Sequence, residues 1–287
     1  MLIFISPSGN PISIKNTVIK RFGEAKYLYS SSLHNIFAHY LDFPNKIERD
    51  DLIALRESLS SERIDVLWVE ELLDRSSKSL FAFDMDSTLI KEEVIDELAR
   101  RKGVYDLVAS VTKEAMEGKL DFDSALRKRC SYLVGIGESV FEEIYQSITP
   151  NDGVVELIPW IQKYKGIVAI FSGGFVPVIE KFAKKYSVLH YSANQLEMEN
   201  GFTTGKVLGT IVNKNRKKEL LIEHRDNNQI LNSQTVAVGD GSNDSLMLNE
   251  AGIGIGFHAK SGLKKDILNW IDHHSMLSLL FLYDLRD

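Results

Sequence analysis

Four short apolar runs punctuate the chain: Leu80 to Phe83, Ile167 to Phe171, Thr235 to Val238 and Ile253 to Phe257. Each is bounded by polar residues, and each is continuous rather than alternating. Such runs predict strands buried on both faces, as in a parallel sheet covered by helices. More than 80 residues separate the first two runs, far beyond a crossover helix. That stretch is rich in Glu, Lys, Leu and Ala at helical spacing, which predicts an inserted helical cap over residues 92–165. Later, Gln195 to Val207 holds two short segments around Asn200-Gly201. Asn-Gly supplies the positive φ angles of a type I′ turn, so a β-hairpin is expected there.

Residues 1–76 follow a different pattern. Residues 2–5 read as a strand, Ile12 to Phe22 as a helix, and Lys26 to Tyr40 as one or two strands around Ser30-Ser31-Ser32. Arg49 to Leu59 reads as a helix, and Ile64 to Val69 alternates like a strand. The order β-α-β-β-α-β predicts a small α+β, ferredoxin-like sandwich, an arrangement shared by many amino-acid-binding regulatory modules. Polar Asp74 to Lys78 is the expected linker. Met276 to Tyr283, interrupted by Ser278, suits a buried terminal helix or strand. The expected fold class is therefore α/β, with a core from residues 77–91 and 166–287, the cap, and the N-terminal domain.

Composition narrows the function classes. Hydrophobic residues at 44% and charged residues at 26% are those of a soluble globular protein. With a net charge of −6 and no long basic stripe, nothing suggests a nucleic-acid partner, and none is expected. Cys130 is the only cysteine, so no intramolecular disulfide forms, which fits a reducing cytoplasm. Met1 to Pro7 has no basic n-region and too short an apolar run for a signal peptide, and no apolar stretch reaches the ~18 residues of a membrane helix. A cytoplasmic protein without membrane contact is expected.

Ligands of open parallel sheets bind beyond the carboxyl ends of the strands. After the first run come Asp84 and Asp86, two positions apart and facing one side. Like charges that close resist joint ionisation unless a cation or a shared proton intervenes. Mg²⁺, a hard oxygen-loving ion, is the natural neutraliser. One Asp can then attack a phosphoryl group while the other shuttles a proton. Taken alone, the pair also reads as an acidic turn. A calcium loop is rejected, because the sixth and twelfth positions from Asp84 are Leu89 and Ile95 where Gly and Glu are required. After the second run, Ser172-Gly173-Gly174 offers a hydroxyl and backbone N–H groups to phosphate oxygens, or is a plain glycine turn. After the third, Gly239 to Asp244 adds Asp240 and Asp244, a metal site or a turn with Asp244 capping a helix. A cation must also reach the phosphate. Lys217 or Lys218 can supply it, or the run Lys214 to Lys218 is a solvated basic face.

In order, Asp84-Met85-Asp86-Ser87-Thr88, Ser172-Gly173-Gly174-Phe175, Lys217 and Gly239 to Asp244 resemble the motifs of the haloacid dehalogenase superfamily, and within it the phosphoserine phosphatases. The cap segments Glu92 to Glu97, Met116 to Phe122 and Ser124 to Arg129 are similar too. The likeness runs from residue 79 to about 260. It implies a Rossmann-like core and Mg²⁺-dependent hydrolysis of O-phospho-L-serine, the last step of serine biosynthesis. It implies Asp84 as the nucleophile that becomes an aspartyl-phosphate, and Asp86 as general acid and then base. Mg²⁺ would be held by Asp84, the Asp86 carbonyl and Asp240, with Asp244 nearby. Ser172, Gly173 and Lys217 would grip the phosphoryl group with help from Asn243. Glu93 would pair with the substrate ammonium and Arg129, favoured over Arg127 by the motif, with its carboxylate. Met116 and Phe122 would shield the site from water, or simply pack the cap. Three departures are small: Met85 where Phe is frequent, Ser242 where Ala is common, and Ser261 where Pro often follows Lys260.

Other classes are weighed against this reading. A phosphotransferase passing the group from phosphoserine to homoserine would use the same nucleophile and metal. An amino-acid sensor that kept the fold would not need Asp84, Asp86, Lys217 and Asp240 together. No Cys-x₅-Arg loop exists, since Ile136 stands where Arg is needed after Cys130, and no P-loop is present. Asp272-His273-His274 reads as a surface helix rather than a metal motif. Residues 1–76 are left with serine sensing or homodimer formation as open roles.

Overall fold

The structure, a computed structural model, describes residues 1–23, 26–42 and 47–286. Its N-terminal module runs β1 (Leu2–Ser6), α1 (Ile12–Phe22), β2 (Lys26–Leu33), β3 (Ile36–Asp42), α2 (Arg49–Leu59) and β4 (Asp65–Trp68). The sheet is antiparallel in the order β2-β3-β1-β4, the ferredoxin-like topology the sequence predicts. One detail differs. The break between β2 and β3 falls at His34-Asn35, with φ of 48° and 66°, and not at the serines. Two successive positive φ angles make the tight turn of a hairpin, while Ser30 to Ser32 stay paired inside β2.

The larger unit begins with β5 (Ser79–Phe83). Four helices follow, α3 (Val94–Lys102), α4 (Tyr105–Met116), α5 (Phe122–Ser131) and α6 (Glu138–Ser147), and then α7 (Val154–Lys163). The chain returns through β6 (Gly166–Phe175), α8 (Val176–Lys185), the hairpin β7 (His190–Glu199) and β8 (Phe202–Leu208), α9 (Lys214–Asn227) and β9 (Thr235–Gly239). It ends with α10 (Ser245–Glu250), β10 (Ile253–Phe257), α11 (Ser261–Asp266), β11 (Asn269–Ile271) and a tight helical turn over Met276–Leu282. The sheet order is β11-β10-β9-β5-β6-β7-β8. All neighbours are parallel except β8, which runs antiparallel to β7. The hairpin turns at Asn200-Gly201, as expected, with φ of 52° and 82°.

The continuous apolar runs are explained by two-sided burial. Phe81 and Phe83, with Val168, Ile170, Val236 and Val238, enter one apolar cluster. Leu80, Ala82, Ala169, Phe171 and Ala237 enter another on the opposite face. Successive side chains of a strand point to opposite faces, so both parities must be apolar. Each large side chain so buried contributes roughly 1.5–3 kcal/mol. The arrangement lines the carboxyl ends of β5, β6, β9 and β10 along one edge. Helices α3–α6 sit over that edge, whereas α7 packs on β6 and on the Met276–Leu282 turn.

The N-terminal module is welded to the core rather than hung on a linker. One face of its sheet, through Leu2 and Phe4, meets Ile14, Val18, Leu52 and Leu55 of its own helices. The other face, through Ile3, Ile5 and Tyr40, joins the same apolar cluster as Phe81, Leu280 and Tyr283. The Tyr40 hydroxyl donates to the Phe281 carbonyl at 2.9 Å. Polar contacts finish the joint. Asn269 exchanges two hydrogen bonds with the backbone of Trp68. Buried Arg56 donates to the Val66 and Leu268 carbonyls at 2.7–2.9 Å and stacks 3.8 Å from the Trp270 ring. The Asp65 carboxylate accepts from the Asp272 and His273 N–H groups and pairs with His274 Nδ1. Asp272-His273-His274 is therefore not the surface helix expected. It follows β11 as a loop clasped by a buried carboxylate. Among the described residues, no helix is long and apolar enough to cross a membrane.

Candidate active site

The edge where the strands end gathers the polar residues singled out by the sequence. Asp84 leaves β5 with its N–H donating to Val238 of β9 at 2.9 Å. The chain then turns sharply through Ser87, at φ 57°, a left-handed conformation that a small polar residue tolerates. The Ser87 N–H reaches the Glu92 carbonyl at 3.2 Å and the Ile90 N–H the Met85 carbonyl at 3.1 Å, closing the loop on itself. Met85 fills the core beneath it. The nucleophile candidate thus projects from a short, self-bonded turn.

Lys217, early in α9, is fully buried, and its Nζ lies 2.8 Å from Asp84 Oδ1 and 2.6 Å from Asp244 Oδ1. Asn213 caps the helix by accepting from the Asn215 and Arg216 N–H groups. Lys218 points away and pairs with Glu250. The structure thereby separates two lysines that the run of basic residues alone left equivalent, and it is Lys217, the one matching the family motif, that turns inward. Asp244 also accepts the Gly241 N–H at 3.1 Å. The loop folds so closely on Asp244 that a Cβ on Gly239 would lie 2.4 Å from its carboxyl carbon.

Gly173 and Gly174 lie in close contact with their surroundings. A Cβ on Gly174 would sit 3.1 Å from Asp86 Oδ2, and one on Gly173 would sit 3.1 Å from the Phe122 ring. Ser172 is buried, and its hydroxyl accepts the Gly174 N–H at 2.9 Å. Asn194 braces this loop by donating to the Gly173 carbonyl while accepting the Val212 N–H. Asn243 stands beside Asp244, 3.4 Å from its Oδ1.

The cap side is less uniform. Glu93 accepts from the Ser87 hydroxyl at 2.8 Å. Arg127 leans outward to the Val207 carbonyl, whereas Arg129 turns inward and its buried Nε has no partner. Burial lowers the Arg129 pKa, against the opposing pull of Cys130, Glu93, Asp96 and Asp86. Phe122 packs over Gly173, but Met116 ends α4 at 82% exposure, away from the assembled residues.

Charge is the dominant property of the site. Burial, then Asp244, pushes the Asp84 pKa up to about 7, with Lys217 pulling the other way. Burial, Glu93 and Asp84 hold Asp86 well above the ordinary carboxyl range, and its Oδ1 is buried without a partner. Burial lifts Asp240 to about 6 despite Lys260, and lifts Asp244 despite Lys217. Burial opposes the Lys217 charge, yet Asp244 and Asp84 raise its pKa. Among the described residues, Asp84, Asp86, Glu93, Asp240 and Asp244 lie against Lys217, Lys260 and Arg129, and Asp96 shares Arg129 with them. Fully ionised, the carboxylates of the site outnumber its cations.

Residues 78–252 match the haloacid dehalogenase-like hydrolases. The chain belongs to that family. It is 39% identical over 209 residues to a phosphoserine phosphatase of Lactococcus lactis subsp. lactis strain IL1403, a match covering 73% of this chain and 97% of that relative. A haloacid dehalogenase family hydrolase from Salmonella enterica subsp. enterica serovar Typhi superposes with a TM-score of 0.89 at 28% identity. It covers 100% of this chain and 99% of that one, so the N-terminal module is shared. A phospho-aspartyl intermediate analogue of phosphoserine phosphatase gives a TM-score of 0.68 at 39% identity, over 72% of this chain and all of that one.

In this hydrolase the missing charge fits a divalent cation. Ligand oxygens of Asp84, Asp240 and Asp244 lie within 4.8 Å of one another, all buried. Hard oxygen donors suit Mg²⁺ or a similar ion. Sequence reasoning passed over Lys260, whose Nζ lies 2.8 Å from Asp240 Oδ2 and 3.2 Å from Glu93 Oε1. It directly follows β10, so the rule that ligands gather beyond strand ends would have found it had it been applied to the fourth strand.

Proposed function

We propose that the protein hydrolyses O-phospho-L-serine to serine and phosphate, with Asp84 as nucleophile and Mg²⁺ as cofactor. The observation that carries the chemistry is a pair of carboxyls set in different surroundings. Lys217 lies 2.8 Å from Asp84 and favours its anion against the effect of burial, while burial, Glu93 and Asp84 raise the pKa of Asp86, two residues on, and favour its protonated form. In the first step an Asp84 oxygen bonds to phosphorus as the bond to the serine oxygen breaks. Asp86 gives its proton to that oxygen. In the second step Asp86 takes a proton from water, whose oxygen attacks phosphorus and releases the Asp84 carboxylate. Ser172, the Gly173 N–H, Asn243 and Lys217 would hold the phosphoryl oxygens. Asp84, Asp240, Asp244 and the Asp86 carbonyl would hold Mg²⁺, which when bound neutralises charge on the transferring group.

The amino-acid end of the substrate fits the cap. Arg129, whose buried Nε has no partner, suits the carboxylate, and Glu93 suits the ammonium. Phe122 closes over Gly173, and Met116 would reach the site only with cap movement. We take the moving unit as residues 92–149, shorter than the 92–165 expected, because α7 packs on the core and Lys91 pairs with Thr149 across the neck. A cytoplasmic setting suits the buried thiol of Cys130.

The test is phosphate release from phosphoserine with Mg²⁺, beside phosphothreonine, phosphotyrosine, sugar phosphates and nucleotides. Release from phosphoserine alone, lost in Asp84→Asn, is the expected result. Transfer to added homoserine in place of free phosphate would replace hydrolysis by phosphotransfer. Preference for another phosphomonoester would keep the nucleophile and overturn the role of the cap.

A further inference from the structure

Lys260 stands at the carboxyl end of β10 and opens α11. Its N–H donates to the Asp240 carbonyl at 2.8 Å, and its Nζ reaches the same residue's Oδ2. The side chain also crosses the cleft mouth to Glu93 Oε1, the oxygen that accepts from Ser87. Ser87, Glu93, Lys260 and Asp240 therefore form one connected chain. It joins the nucleophile turn, the neck of the cap and the acidic loop. The backbone that carries Lys260 is itself fixed. His258 donates to the Ile271 carbonyl at 2.8 Å, and Arg49 of the N-terminal module holds the carbonyls of Lys264 and Ile267.

The lysine side chain is 55% exposed. An ion pair so open to water contributes little to stability. What it supplies is placement. The ammonium holds Oδ2 of Asp240, and an oxygen of that carboxylate lies within 4.8 Å of oxygens of Asp84 and Asp244. Glu93 is held between a hydroxyl and an ammonium, where it would otherwise be repelled by Asp86 and Asp240.

We propose that Lys260 is a positioning residue that sets Glu93 for recognition of the substrate ammonium and orients Asp240 toward the metal. This rests on the phosphoserine reading above. Loss of Lys260 acts on binding of the amino-bearing substrate and of the ion, and leaves the chemistry of Asp84 and Asp86 in place.

The experiment compares the full chain with Lys260→Met and Lys260→Arg. KM and kcat for phosphoserine are measured with saturating Mg²⁺, together with inhibition by 3-phosphoglycerate, in which a hydroxyl replaces the ammonium. Mg²⁺ affinity is measured calorimetrically without substrate. For Lys260→Met, KM rises about tenfold while kcat changes less than about threefold. The inhibition constant of 3-phosphoglycerate stays within about twofold, and Mg²⁺ binds roughly tenfold more weakly, as for loss of a group that orients a ligand. Lys260→Arg recovers most of both. Equal weakening of phosphoserine and 3-phosphoglycerate, or unchanged KM and Mg²⁺ affinity, would overturn the assignment. A wild-type chain inactive on phosphoserine would instead overturn the substrate reading, and the Mg²⁺ titration would still judge the Asp240 half of the inference.

Discussion

Replacing Asp84 by Asn should abolish turnover and make the metal-free protein more stable. Asp84 is buried, and its pKa rises from 3.8 to about 7. A carboxyl that holds its proton more tightly when folded costs stability once the unfolded chain ionises. The cost is absent below about pH 4, grows as pH rises toward 7, and is complete above it. At about 1.4 kcal/mol for each tenfold change in proton affinity, it is bounded at roughly 4 kcal/mol. Asn fits the same space and never ionises. It also leaves Lys217 with only Asp244 as an ionised partner, which returns part of the gain. A net gain of about 1–3 kcal/mol is expected, or on the order of 5 °C in Tm for a chain of this size. The assay is thermal unfolding of both proteins with a chelator, at pH 4.5 and pH 8. The gain should be larger at pH 8. A gain independent of pH, or an Asn variant less stable at pH 8, would refute the claim that uncompensated charge at Asp84 destabilises the empty site. Added Mg²⁺ should raise the Tm of the wild type more than that of Asp84→Asn.

Three further outcomes follow from the geometry. Arg129→Met should raise KM for phosphoserine about a hundredfold, on the scale of losing a buried charged partner, while Arg127→Met, which only loses a contact to Val207, should change it less than about threefold. Gly239→Ala should displace Asp244, because the new Cβ would lie 2.4 Å from its carboxyl carbon; calorimetry should show Mg²⁺ affinity lower by at least about tenfold. Arg56→Met should cost about 2–4 kcal/mol in urea unfolding, since the buried Val66 and Leu268 carbonyls lose their donor, with kcat/KM at 20 °C within about twofold of wild type.

The sheet was legible because two-sided burial forces apolar residues onto both faces of β5, β6, β9 and β10. The hairpin was legible because Asn200-Gly201 is a local signal. What stayed hidden depends on partners far along the chain. Lys217 and Lys218 differ only in which way they leave α9, and the carboxylate that receives Lys217 lies 27 residues on. Arg127 and Arg129 are two positions apart on a helix, about 200° around its axis, so they face different sides; helix spacing alone does not say which faces inward, and only the family motif favoured Arg129. Asp65 and the Asp272 N–H that it accepts are 207 residues apart. The three-residue strand β11 is too short to show a period, and its pairing through Asn269 with Trp68 is one of the contacts that join the N-terminal module to the core.

These hidden contacts share a cause. The acidic edge is held together by covalent turns and by lysines, not by its own favourable interactions, and five carboxylates facing three cations repel one another. Such a site keeps its shape only if the surrounding elements are rigid. Lys217 is supplied by α9, Lys260 by the segment leading into β11, and that segment is fastened by Arg49, Arg56 and Asp65 of the N-terminal module. The module's attachment thus bears on the site at a distance. It fastens, through the carbonyls of Lys264, Ile267 and Leu268, the segment that carries Lys260 beside Asp240 and Glu93.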